Sequence, residues 1–204
     1  MKFTIATKQN MTQFFDQNGV VHAATVLTIS PLTVTQVKNI EKDGYAAVQV
    51  GMGTQKKERK SKAELGHTKG IAYTMLKEFK METGDIEVGA TLTAGVFNKG
   101  DIVSVTSVSK GKGFQGVMKL HGFSGGWGQH GQKHSAREAG SIGSTGQQRV
   151  NRGKKMPGRM GSDTVTQKNL SILDIDETNG ILLVRGAVSG KRGTVVEIKG
   201  LVNN

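Results

Sequence analysis

The chain has 204 residues, with 28 Lys and Arg against 16 Asp and Glu, a formal charge of +12 and a pI near 10.0. That balance predicts a polyanionic partner and says nothing of fold. The absence of cysteine excludes disulfides and thiolate metal sites and fits a reducing compartment. No run approaches the roughly 18 apolar residues of a membrane span, and the opening MKFTIATKQNMTQFF lacks the features of a secretion signal.

In chain order, Lys2 to Thr7 alternates and reads as a strand, and Asp16-Gln17-Asn18-Gly19 is a turn. Val20 to Ile29 and Leu32 to Asn39 follow as β-rich segments joined at Ser30-Pro31. Lys42-Asp43-Gly44 then turns the chain into Tyr45 to Val50. Short strands of this kind close on themselves or pack as a barrel. A basic cluster comes next, with Lys56, Lys57, Arg59, Lys60 and Lys62, readable as a solvated surface or as a phosphate contact. Ile71, Met75, Leu76 and Phe79 fall at helical spacing and predict a short helix over about 71–80, with these residues in the core. Gly84 to Gly95 changes character again, Asn98 to Asp101 is a turn, and Ile102 to Val108 is a strand.

The stretch from Ser109 to Ser162 differs from everything around it. Its 54 residues hold 14 of the 29 glycines, 10 Lys or Arg and a single acid, Glu138. So much like charge with so little to bury does not fold alone in water, and nucleic acid is the partner that meets each charge with a phosphate. Its cations are Lys110, Lys112, Lys119, Lys133, Arg137, Arg149, Arg152, Lys154, Lys155 and Arg159. Trp127, Phe123 and the arginines can stack on unpaired bases, and His121, His130 and His134 can stack or bond to phosphate. A disordered basic linker is the plain alternative, but spaced apolar residues such as Val117, Leu120, Ile142 and Met160 look like anchors of a segment ordered by a partner. No recognition helix or zinc finger is visible, which favours RNA over DNA. Regular structure then resumes with Thr164 to Asp176, the turn Thr178-Asn179-Gly180, Ile181 to Val188, a turn over Ser189 to Gly193, and Thr194 to Ile198. The basic stretch is thus an insertion between β segments, not a tail.

Catalytic and cofactor readings fail on spacing. Gly111-Lys112-Gly113-Phe114-Gln115-Gly116 matches G-x-G-x-x-G, but the helix a dinucleotide site needs runs out at Gly122. Gly186 to Arg192 resembles a phosphate loop but is short by one residue, and Arg192 stands where Ser or Thr must hold the metal. His130 and His134 are four apart with Gly131 between them and no general base beside them, so no metal is expected. Asp174, Asp176 and Glu177 read as a solvated hairpin end.

Three motifs carry a resemblance: Lys119-Leu120-His121-Gly122-Phe123-Ser124-Gly125-Gly126, Gly140-Ser141-Ile142-Gly143, and Gly153-Lys154-Lys155-Met156-Pro157-Gly158-Arg159-Met160-Gly161. With Met11 to Phe15, Glu64 to His67, Ser109 to Gly116 and Leu182 to Val188 in the same order, the chain resembles the bacterial branch of ribosomal protein three of the large subunit. It departs from that pattern at Asn10, where a glycine is usual, and at residues 146–150, which lack a usual Pro-Gly.

The resemblance implies a mainly β fold: a closed barrel of the translation-factor type, a small α/β part and a long irregular basic extension. It implies a barrel from residues 1–55 with parts of 85–120 and 163–204, an α/β part at 56–84 carrying the basic cluster, and an extension over 122–160. It implies a non-catalytic constituent of the cytoplasmic ribosome without cofactor, metal, small-molecule substrate or membrane. Its partners would be 23S rRNA, bound near the 3′ end, and large-subunit proteins of families fourteen and nineteen. The extension's tip, Ser144, Thr145, Gly146, Gln147, Gln148, Arg149, Val150 and Asn151, would lie near the peptidyl transferase centre. Gln147 or Gln148 stands near a glutamine that some bacterial members methylate. Outside the ribosome, the same basic stretch would suit a free-standing nucleic-acid chaperone or regulator.

Overall fold

Alternating Val, Ile, Leu and Phe with short polar residues build strands whose two faces differ, and most of the strands sort into a closed barrel and a four-stranded sheet, each with its own buried cluster. The computed structural model describes residues 2–81 and 86–201. Two compact units emerge, one formed by Met1–Val108 with Thr164–Asn204 and one by Ser109–Asp163.

In the first unit, β1 (Phe3–Phe15), β2 (Val21–Ile29), β7 (Ile102–Val108), β10 (Thr164–Asp176), β11 (Ile181–Arg185) and β12 (Val195–Gly200) form a closed barrel. Going round, the order is β1-β12-β7-β10-β11-β2, and every neighbouring pair is antiparallel. Period-two side chains fill the interior: Val103 and Val105, Leu182 and Val184, Val196 and Ile198, joined by Ala6, Leu27, Ile29 and Ile172, all buried. Ala94 and Phe97 pack into the same cluster from the segment before β7. Closure removes the free edges that such strands would otherwise expose.

A four-stranded sheet in the order β5-β4-β3-β6 belongs to the same unit, with β3 (Leu32–Lys38), β4 (Ala47–Thr54), β5 (Tyr73–Lys80) and β6 (Thr91–Leu92). β1 serves both layers. Phe3 and Ile5 pack with Leu32, Val34, Val48, Val50, Met52 and Phe79, while Ala6 packs inside the barrel. This explains why Phe3-Thr4-Ile5-Ala6 is buried at every position. Phe3 stacks on Phe79 with centroids 4.3 Å apart, and Lys77 Nζ meets Glu197 Oε1 of β12 at 2.8 Å.

The helix expected over 71–80 is β5, an edge strand paired with β4 from Ala47↔Lys80 to Thr54↔Tyr73. Four is a multiple of two, so Ile71, Met75 and Phe79 fit a strand as well as a helix. Tyr73, Met75 and Phe79 share the even spacing. The deciding contact is tertiary: Gly51 of β4 lies under the Tyr73 ring, where a Cβ would come within 2.5 Å. The residue range 1–55 expected for the barrel also contains β3 and β4, which pair in the second sheet. The expected boundary at 84–85 lies outside the described residues.

Helices are short: α1 (Ile40–Asp43), ended by Gly44 at φ 78°, and α2 (Lys62–His67), both in the first unit. The Thr178-Asn179-Gly180 turn joins β10 to β11, with Asp176 accepting hydrogen bonds from the Asn179 backbone at 3.1 Å and side chain at 2.6 Å. Asp174, Asp176 and Glu177 are exposed there, the solvated hairpin end that the sequence suggested.

Candidate nucleic-acid interface

The second unit leaves the barrel after Val108 and returns at Thr164, which are paired neighbours on β7 and β10. Its base is a small hairpin of β8 (Gly113–Gln115) and β9 (Gly158–Met160), with Phe114 opposite Arg159. Around it, Ser109 N–H donates to Asp163 O at 2.9 Å and Lys112 N–H to Met160 O at 2.9 Å. Gly161, at φ 76°, abuts the Lys110 carbonyl so closely that no Cβ fits. α3 (Val117–His121) follows β8, buries Val117 and stops at Gly122 with φ 71°. This matches the expected early end of the G-x-G-x-x-G segment.

The base carries Lys119 on α3 and Arg159 on β9, with Lys110 and Lys112 just before β8 and Lys154 and Lys155 before β9, and all six are exposed. His121 has a structural partner: its Nε2 lies 3.0 Å from Met156 O, tying α3 to the returning strand, and its ring is 6.0 Å from that of Phe123. The sequence offered His121 for bases or phosphate, and in the structure it is half-buried.

Beyond the base, Phe123 to Gly126 folds against Ser135 and Ala136. Gly126 N–H donates to Ala136 O at 3.2 Å. A side chain at Gly125 would strike Ala136 O, and one at Gly126 would strike Gln132 and come 2.9 Å from Ser135 O. These two glycines are required by close approach. The fold leaves an open concavity of about 670 Å³ lined by Phe123, Ser124, Gln132, Ser135 and Glu138. Trp127 projects beside it, 78% exposed, and His130, Lys133, His134 and Arg137 are exposed on the same loop.

Further along the chain, Ser144 Oγ accepts from Gly146 N–H at 3.4 Å, and a 3-10 turn runs over Thr145–Gln147 to Gln148 at φ 48°. Gly143 and Arg149 approach there, since a Cβ on Gly143 would lie 3.9 Å from Arg149 O. Residues 144 to 151 are exposed throughout, and Arg149 is their single full charge. Arg152 follows, also exposed.

Electrostatically, the two units contrast. Among the described residues, ion pairs within 4.0 Å join Lys2 to Asp101, His22 to Asp16, Lys38 to Glu78, Lys60 to Glu64, Lys77 to Glu197 and Lys99 to Asp174, all in the first unit. The cations of the second unit thus face solvent without acid partners. They repel one another, and that repulsion is relieved when phosphate arrives.

The basic cluster of the first unit is built differently. Lys57–Arg59 form a 3-10 turn that leads into α2, capped by a reciprocal pair of Ser61 and Glu64. Lys60 is taken by Glu64 at 3.2 Å, whereas Lys56, Lys57, Arg59 and Lys62 are exposed. His67 Nε2 docks α2 on the sheet through Gln49 Oε1 at 2.7 Å. Gln49 Nε2 in turn donates to Glu78, where hydrogen bonds from Lys38 and Tyr45 hold the carboxyl below its usual range.

One stacking candidate was absent from the sequence-derived set. Phe114 is 75% exposed, lies opposite Arg159 and follows Lys112 closely. An aromatic ring between glycines in a basic run was the available signal. Among the described residues no group of three His, Asp or Glu could hold a metal, and no helix is long and apolar enough to cross a membrane.

Comparison with known proteins agrees with this arrangement. The family described as Ribosomal protein L3 matches residues 3–183. The large ribosomal subunit protein uL3 of Exiguobacterium sibiricum is 41% identical over 201 residues, covering 97% of this chain and 96% of that one. Its counterpart in Bacillus thuringiensis is 42% identical over 206 residues, covering 98% and 97%, and the Bacillus cereus protein matches equally well. With a barrel, a basic insertion between paired strands and end-to-end similarity of this extent, the chain belongs to the ribosomal protein L3 family.

Proposed function

We infer that the chain is a structural, non-catalytic constituent of the large ribosomal subunit that binds 23S rRNA and supports 50S assembly. The observation that carries this is the second unit: ten exposed Lys and Arg on a glycine-rich insertion whose two ends are fixed to adjacent barrel strands. Such an insertion gives a phosphate-seeking segment a rigid platform.

Finer placements follow from the same reading. The barrel unit and the extension's base bind near the 3′ end of 23S rRNA, through Lys56, Lys57, Arg59, Lys62, Lys110, Lys112, Lys119, Lys154, Lys155 and Arg159. The middle, with Trp127, His130, Lys133, His134 and Arg137, supplies stacking and charge. The tip, residues 144–151, buttresses rRNA behind the peptidyl transferase centre without an acid, base or metal of its own. Large-subunit proteins of families fourteen and nineteen are the protein neighbours.

Sedimentation of cell extract in high magnesium tests the reading. The protein is expected in the 50S and 70S fractions. Recovery mainly at the top of the gradient would instead identify a free-standing nucleic-acid binder.

A further inference from the structure

The loop Gly186-Ala187-Val188-Ser189-Gly190-Lys191-Arg192-Gly193, between β11 and β12, lacks the hydroxyl residue of a nucleotide phosphate loop. The structure shows something else about it. Its carbonyls are turned in toward the barrel. Gly186 O accepts from Thr25 Oγ1 at 2.6 Å, Val188 O and Gly190 O accept from Lys8 Nζ at 2.6 and 3.0 Å, and Ser189 O accepts from Ser107 Oγ at 3.0 Å. Three loop amides are held as well: Gly186 N–H by Ala23 O at 2.8 Å, Ser189 N–H by Gln167 Oε1 at 3.1 Å, and Gly193 N–H by Lys8 O at 2.8 Å.

Packing fixes the same segment. Val188 is 3% exposed, and Gly190, at φ 95°, leaves no room for a side chain: a Cβ would lie 2.9 Å from Val108 O and from Thr194. Lys191 and Arg192 open a tight turn, closed by Thr194 N–H on Lys191 O at 3.1 Å, with Gly193 at φ 84°. Both side chains are exposed, and among the described residues neither has an acidic partner within 4.0 Å. The backbone N–H groups of Lys191 and Arg192 likewise have no acceptor among the described residues.

Carbonyl ends of the peptide dipoles therefore face a buried-side lysine, and two adjacent amides with two cationic side chains are left for an outside anion. Successive free amides in a turn with left-handed glycines form an anion-binding concavity. Because the loop is already rigid, little ordering entropy opposes the contact. We propose that the Lys191–Arg192 turn is a preorganised site for RNA phosphodiesters on the barrel unit, additional to the extension and the 56–62 cluster. The proposal rests on the rRNA-binding reading above and adds a contact that this reading does not require.

The test compares the full-length protein with Lys191→Gln/Arg192→Gln and with a charge-matched control, Lys42→Gln/Lys99→Gln, on a 23S rRNA fragment that the parent binds. Thermal melts confirm folding of each. The loop variant is expected to lower the log–log salt slope of binding by about 1.4–1.8, at roughly 0.7–0.9 per lost phosphate contact, with the control unchanged. Equal losses in the two variants would reduce the effect to net charge and overturn the proposal. An unchanged loop variant, with steep salt dependence in the parent, would overturn it while leaving the ribosomal reading intact. If the parent binds no rRNA fragment, both fall. Inorganic phosphate supplies the last arm: saturable shifts of the Lys191 and Arg192 amide resonances at low millimolar phosphate would assign the turn to a small anion instead of an RNA backbone.

Discussion

The base and the tip of the extension offer rRNA different things, and removing each in turn separates them. Lys154, Lys155 and Arg159 are exposed beside the β8–β9 hairpin, which is held by backbone pairing and by the His121–Met156 hydrogen bond. Changing all three to Gln removes three charges already held in place. At roughly 0.7–0.9 counterions per contact, the salt slope falls by about 2–3. Between 50 and 200 mM salt, the parent should then lose about 20- to 40-fold more affinity than the variant. Replacing residues 144–151 by a short Gly/Ser turn removes only Arg149. The slope should fall by less than about 1, and binding at fixed salt should stay within about tenfold, or about 1.4 kcal/mol. Filter binding across a salt series measures both, and 50S yield with peptide-bond formation by matched subunits reports the consequence. The base variant should slow assembly, and the tip variant should assemble and alter peptidyl transfer. A tip variant that fails to assemble beside a base variant that assembles normally would show that the tip is the anchor.

Two further outcomes concern the barrel unit. Phe79→Ala empties the space stacked on Phe3 at 4.3 Å in a fully buried cluster and should cost about 3–5 kcal/mol in denaturant unfolding; a loss under about 1 kcal/mol would refute the two-core description. For pH, Asp101 is held below its usual range by Lys2 and the Asn98 amide, and Glu78 by Lys38 and Tyr45. Folded values below unfolded ones mean stability present above about pH 4 and lost as pH falls through the folded values, so the melting-temperature gap between the parent and Glu78→Gln/Asp101→Asn should narrow below about pH 4. A gap that widens in acid would contradict the assignment.

Strands with one buried face were legible because alternation is local: β7 and β10 were expected at the residues they occupy. β1 was legible only to Thr7, since beyond it Met11, Thr12 and Phe15 are exposed and continue the hairpin with β2 through a bulge. β5 was misread because spacing of four satisfies both periods, and only the flat glycine surface of β4 resolves it. In the extension, charge and glycine content pointed to the partner class, yet pairing of Gly113 with Met160 across more than forty residues leaves no periodic trace. For the same reason the His121–Met156 hydrogen bond, made across 35 residues, left no trace in the sequence. Exposure of the cations, by contrast, followed from composition, because the segment offers so few acids and so little apolar cover.

Barrel closure has a consequence for synthesis. The first strand pairs with the last, Phe3 with Lys199 and Thr7 with Val195, and the basic insertion lies between them in the chain. Translation delivers residues from the N-terminus at about 5–20 per second. The whole cationic segment is therefore made before β10, β11 and β12 exist, and β1 waits for its neighbour until nearly the last residues appear. For several seconds a nascent chain presents a strongly basic arm on an open, half-walled sheet. An unselective polyanion captured in that interval would hold the arm before its platform is complete. A companion that shields the arm while translation finishes would gain most during those seconds and least once β12 has docked.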